Sequence, residues 1–232
     1  MRLRWPVSRG RISRWLLIAS LSLLVIDLSA KALGQVLPSQ SNRLHIVQVD
    51  SERSIPNWFK SAELAICSVM LFVIYAAKRT AADRFRRGWC GLAIILLLMS
   101  VEEVAAGHER LNAALIAAFH PTGPLYYAWV IPGFLVAVLV GLLYLRFILH
   151  LPTTVRRRVV LAGFVYVGGA VGLEFLAGWW ISSHGMRNLL YAFEPVFEEG
   201  MQMIGPIIFL DALMLLARDE RLLVELPFDP GA

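Results

Sequence analysis

Polar residues interrupt this chain in short bursts. Between the bursts run six apolar stretches, roughly 14–34, 58–77, 88–107, 125–149, 159–182 and 192–217. Each approaches or exceeds the ~20 residues that a helix needs to cross a bilayer. No heptad register, low-complexity tract or internal repeat overlies them, and no remaining segment is large enough for a separate soluble domain. The longest polar connection, about 36–57, has the length of a decorated extracytoplasmic loop. The pattern predicts an all-α fold: one transmembrane domain over 1–232, built as a six-helix polytopic bundle.

Composition agrees, since 58% of the residues are hydrophobic and 17% charged, against ~45–50% and ~25% in soluble domains. A net charge of +5 would suit nucleic acid, but the basic residues sit in short loops rather than along one stripe. Membrane lipids are the expected partners instead. Arg2, Arg4, Arg9, Arg11 and Arg14 precede the first stretch, and Lys78, Arg79, Arg84, Arg86 and Arg87 lie between the second and third. Arg146, Arg156, Arg157 and Arg158 lie between the fourth and fifth, and Arg218 and Arg221 follow the sixth. The opposite loops and span ends hold only Lys31, Arg43, Arg53, Lys60, Arg110 and Arg187. That bias predicts cytoplasmic N- and C-termini. The first stretch also has the form of a secretory signal with Ala30-Lys31-Ala32 as cleavage site, yet its length and Asp27 favour a retained span. Cys67 and Cys90 form no CxxC pair and read as small buried hydrophobes.

The segment MSVEEVAAGHERL, 99–111, changes the picture. Ionised groups at membrane depth cost several kcal/mol unless paired, hydrated or bound to a cation. With the orientation above, Glu102 and Glu103 fall beyond the midpoint of the third span, with His108 and Glu109 at its outer mouth. Glu174 falls in the outer half of the fifth span and His184 past its end. Glu194, Glu198 and Glu199 fall in the outer part of the sixth. Asp27 and Glu63 occupy the outer halves of the first two spans without an evident partner, and Asp211 alone lies in an inner half.

Helical phase places Glu102 and Glu109 nearly eclipsed and ~10 Å apart along one helix. Glu194, Glu198 and Gln202 follow i, i+4, i+8 as a stripe continued by Gly205. Two such stripes with Glu174 predict an acidic pocket open to the extracytoplasmic side. It cannot remain fully ionised and empty. Carboxylates with imidazole suit Mn, Fe or Zn, and carboxylates alone suit Mg or Ca. Glu102, His108, Glu109, Glu174, Glu194 and Glu198 are therefore candidate ligands of a divalent metal cation, with Glu103 and Glu199 as candidate general bases. The plainer reading is that His108, Glu109, Glu194 and His184 snorkel into headgroups from helix ends. Glu102, Glu103, Glu174 and Glu198 lie deeper, where the functional reading is favoured over it.

Backbone signals gather in the same spans. Pro206 removes the bond that would satisfy the Gln202 carbonyl, Pro195 interrupts the same span, and Pro132-Gly133 predicts a bend in the fourth. Gly168 and Gly172 form a GxxxG close-packing face in the fifth.

Three motifs stand out: DxExxxPxWF from Asp50, (D/E)ExxxxHE from Glu102 and FEExxxxxG from Phe197. Together they resemble a group of uncharacterised bacterial multi-pass membrane proteins over nearly the full length. That group usually opens the second motif with aspartate, where this chain has Glu102. The resemblance implies architecture and motif positions only; with the charge bias, a bacterial inner (plasma) membrane is the expected location. It adds Asp50 and Glu52 as loop residues able to cap the pocket, although solvated loop charge is their plainer reading. It implies no activity. Three functions stay open: a metal-dependent membrane enzyme acting on a lipid or lipid-linked substrate, a cation- or proton-coupled transporter or channel for a small cationic substrate, and a non-catalytic accessory or sensor. One-sided depth favours the enzyme, although the spacings match neither HExxH nor the ExxH of di-iron bundles. A transporter should need Asp211 to extend its path inward, so Asp211→Asn should silence a transporter and spare an enzyme.

Overall fold

The computed structural model describes residues 9–36, 44–51, 53–185 and 189–220. Arg2, Arg4, Arg43, Glu52, Arg187 and Arg221, used above for orientation or as a cap, lie outside them. Among the described residues there is no strand, and the α-helices are α1 (Arg9–Val36), α2 (Ile55–Thr80), α3 (Arg86–Ala105), α4 (Gly107–Phe119), α5 (Val130–His150), α6 (Thr153–His184) and α7 (Leu189–Asp219). All except α4 contain a stretch long and apolar enough to cross a membrane. The protein is a multi-pass membrane protein.

Local chemistry sets the ends. Ser54 caps α2 by accepting the Asn57 amide at 3.3 Å, with Pro56 in the first turn where no amide is needed. Ala106 is left-handed (φ 50°) and ends α3, so the continuous helix expected through 107 is broken and α4 starts in a new direction. The eclipsed relation of Glu102 and Glu109 is lost with it. Pro132 falls in the first turn of α5 rather than bending its middle, and Gly133 makes room for the Trp129 ring, which would stand 2.6 Å from a β-carbon there.

α7 is the hub. α1, α2 and α6 pack on it, α3 packs on α2, and α5 leans on α6. In the half of the bundle away from the site, Cys67, Leu71 and Ile74 of α2 meet Leu210, Leu213 and Leu216 of α7 in one apolar core, with Trp89, Ala93 and Phe147 around them. Cys67 is fully buried and donates to the Pro206 carbonyl at 3.4 Å. α2 and α3 approach closely through small polar residues: Ser61 donates to the Ser100 carbonyl at 2.8 Å and Ser100 to the Ser61 carbonyl at 2.9 Å.

Only one glycine of the GxxxG pair lies on the close face of α6: a β-carbon on Gly168 would stand 3.2 Å from Met201 Cε of α7. A β-carbon on Gly172 would meet nothing within 4 Å, whereas one on Gly169 would lie 2.9 Å from the Glu198 carbonyl. Gly205 of α7 meets the Tyr166 β-carbon in the same way, at 2.8 Å. The reason is a π-helical turn over Gly168–Leu173, which inserts an extra residue and rotates the register.

Asp27, which has no evident partner in the sequence, is partnered in the fold, and so is Asp211. Asp27 is fully buried, pairs with Lys31 at 3.1 Å and accepts the Val49 amide at 3.1 Å, while Lys31 also reaches Asp50 at 3.4 Å. This ties α1 to the loop before α2. Asp211 binds Arg9 at 3.0 Å, Arg158 more closely and Ser13 at 3.4 Å, joining α1, α6 and α7 at the opposite end.

Candidate functional site: an acidic cluster around Lys60

The centre of the site is a lysine that the charge pattern along the chain presents only as a topology signal. Lys60 of α2 is 4% exposed. Its ammonium lies 3.1 Å from Glu103 of α3 and 2.5 Å from Glu199 of α7, and donates to Gln202 Oε1 at 3.5 Å. Tyr166 of α6 donates its hydroxyl to the other oxygen of Glu103 at 3.3 Å. Gln202 extends the network along α7 by donating to Glu198 at 2.9 Å. Four helices are thus pinned at one point by a charge that each neighbouring carboxylate needs. Breaking such a buried pair is costly because it strands the partner.

One ammonium cannot balance every acid around it. Glu63, one turn from Lys60 on α2, is 2% exposed and neither of its oxygens has a hydrogen-bond partner. Glu174, set by the π turn that precedes it, lies near Glu198 and Glu194. Glu174 Oε2 and Glu194 Oε1 are likewise buried without a hydrogen bond. This surplus of negative groups needs protons, water or a cationic guest.

At the break between α3 and α4, Glu102 turns to His108 rather than to Lys60. One of its oxygens accepts both the backbone amide and the Nδ1 of His108, each at 2.8 Å, across the break at Ala106. The carboxylate thereby caps the first turn of α4 and fixes the imidazole. His108 packs beside Trp129 with ring centroids 5.1 Å apart, and its Nε2 stands 3.8 Å from Glu109. Burial alone would lower the His108 pKa, but the bond to Glu102 and the charges of Glu102, Glu109 and Glu103 outweigh it and raise the value to about 9.

The residues singled out from the sequence thus fall into separate groups. Glu102, His108 and Glu109 sit at the break between α3 and α4, with Glu174 near His108 and Glu109, while Glu194 and Glu198 lie on α7 near Glu174. Glu103 and Glu199 are ion-paired to Lys60. Among the described residues, no three His, Cys, Asp or Glu side chains form a set able to hold a metal ion. The expected ligand set is not assembled among the described residues, because its imidazole is bound to Glu102 across the break at Ala106.

Besides Lys60, the sequence reading missed Tyr166 and Trp129. A signal for Lys60 was present: Asn57, Lys60, Ser61, Glu63 and Ser68 make a polar face on α2, all of it buried. Tyr166 had none, since only the turn of α6 against α7 brings it to Glu103. His184 stacks on Trp180 at 3.9 Å and takes no part.

No curated protein and no solved structure matches the chain. The chain belongs to the family described as Domain of unknown function (DUF8692), which matches residues 12–217.

Proposed function

We propose that this is a bacterial inner-membrane protein with both termini in the cytoplasm, and that the Lys60 cluster is the centre of a membrane enzyme. It works from the extracytoplasmic leaflet on a lipid or lipid-linked substrate by acid–base chemistry. The observation that carries this reading is the division of labour among the acids. Lys60 holds Glu103 and Glu199 as a fixed charged platform, and leaves Glu174 and Glu198 near one another as the groups able to exchange a proton. His108, held by Glu102 beside Trp129, serves as the second acid–base group at the mouth. No step is routed through a metal, since the donors do not converge for one.

The membrane depth of the cluster supports a lipid-borne substrate. α3 rests on α2 and α5 on α6, and at the site Tyr166 reaches Glu103 only with its side chain, which favours entry from the bilayer plane. A proton-coupled transporter is the second reading, favoured by the unpartnered Glu63 one turn deeper than Lys60. Below Glu63 the apolar core around Cys67, Leu71 and Leu213 closes the way.

The test compares lipid extracts of cells expressing the wild-type chain, Glu198→Gln and Glu174→Gln by mass spectrometry. The enzyme reading expects a lipid species whose abundance changes with the wild type and not with either variant. Unchanged lipids together with proton flux in liposomes that Glu198→Gln abolishes would replace it with the transporter. A stoichiometric transition metal in the purified protein would overturn the metal-free chemistry.

A further inference from the structure

We propose that α4 lies in the headgroup–acyl boundary of the leaflet nearest the site, as an interfacial helix that docks on lipid. Its 13 residues extend ~20 Å, too short to cross the membrane. Both ends are held at the boundary. Its start carries His108, bonded to Glu102 at the end of α3 at 2.8 Å. Just after its end, the carbonyls of Gly123 and Pro124 press on Gly178 of α6, 3.3 and 3.2 Å from where a β-carbon would sit, beside Trp179 and Trp180. From Phe119 to Gly123 the chain reaches at most ~14 Å. A helix ~20 Å long standing upright would need more than that to return. α4 therefore lies over.

Its surface then decides what covers it. Beyond the first turn, the exposed residues of α4 are Leu111, Ala113, Ala114, Ala117, Ala118 and Phe119, none of them polar. Asn112, the polar residue in that stretch of α4, is turned inward at 8% exposure, while Phe119 is 73% exposed. A helix with so apolar an outer face is not stable against water. It continues directly from one membrane-spanning helix and leads to another, so the surface at hand is lipid. Exposed Arg110, in the first turn, suits a phosphate above that surface. Docking also fixes the depth of His108, so the Glu102–His108 pair sits at headgroup level. The inference does not depend on the chemistry proposed above.

The test places spin labels at Leu111→Cys, Ala117→Cys and Phe119→Cys, one at a time, in a Cys90→Ala background that keeps the fully buried Cys67. The protein is reconstituted in phosphatidylcholine–phosphatidylglycerol vesicles. Collision with dissolved oxygen should exceed collision with a water-soluble nickel chelate several-fold at all three positions, and a Glu109→Cys label should show the reverse. Chelate-dominated collision at 111, 117 and 119 would overturn the proposal, as would shielding from both reagents, which would mean that protein covers the helix.

Discussion

Lys60 Nζ on α2 lies 2.5 Å from Glu199 Oε2 on α7, with both side chains almost out of solvent. Neither helix could keep its charge at this depth without the other, so the pair is at once the lock between α2 and α7 and the floor of the site. Lys60→Met should therefore destabilise by about 3–5 kcal/mol, because Glu103 and Glu199 are left buried without a cation. Adding Glu103→Gln and Glu199→Gln to that variant should recover most of the loss. Thermal unfolding in detergent checks both; a single Lys60→Met variant as stable as the wild type would show that the acids find another counter-charge.

The His108–Glu102 pair predicts a pH dependence of known sign. His108 titrates at about 9 in the fold, above its ordinary 6.5, so the folded state binds the proton more tightly. Its contribution is complete below pH 6.5 and is lost as pH rises through about 9. The wild type should exceed His108→Gln in thermal midpoint at pH 6, and the two curves should meet above pH 9.

The two glycines of the π turn should respond oppositely to alanine. Gly169→Ala pushes a β-carbon to 2.9 Å from the Glu198 carbonyl and should cost about 1–3 kcal/mol by overpacking. Gly172→Ala meets nothing within 4 Å and should be neutral or stabilise by up to ~1 kcal/mol. Unfolding midpoints of the two variants, measured side by side, test the register that the π turn imposes.

Asp211→Asn does not separate an enzyme from a transporter as the sequence alone suggested. Asp211 holds Arg9 at 3.0 Å and also Arg158, so the change should loosen α1 and α6 from α7 whatever the protein does. A loss on the order of 1 kcal/mol is expected. The informative measurement is stability first and activity second, with Arg158→Gln expected to reproduce the stability defect.

Hydropathy alone carried the six spans, because each apolar run meets the length the bilayer demands and each polar loop breaks it. The stripe Glu194, Glu198, Gln202 was equally legible, since a straight helix fixes those angles, and the Gln202–Glu198 bond follows it. What failed were inferences that ran through a backbone irregularity. Ala106 adopts a left-handed turn and parts Glu102 from Glu109, and the π turn moves the close packing of α6 from Gly172 to Gly169. Neither irregularity is written in a local periodicity. Nor could the sequence assign Lys60, because a lysine near a span end serves equally as an interfacial anchor or a buried counter-ion. Only the packing of α2 between α3 and α7 decided it, by taking the ammonium out of water and leaving two carboxylates as its partners.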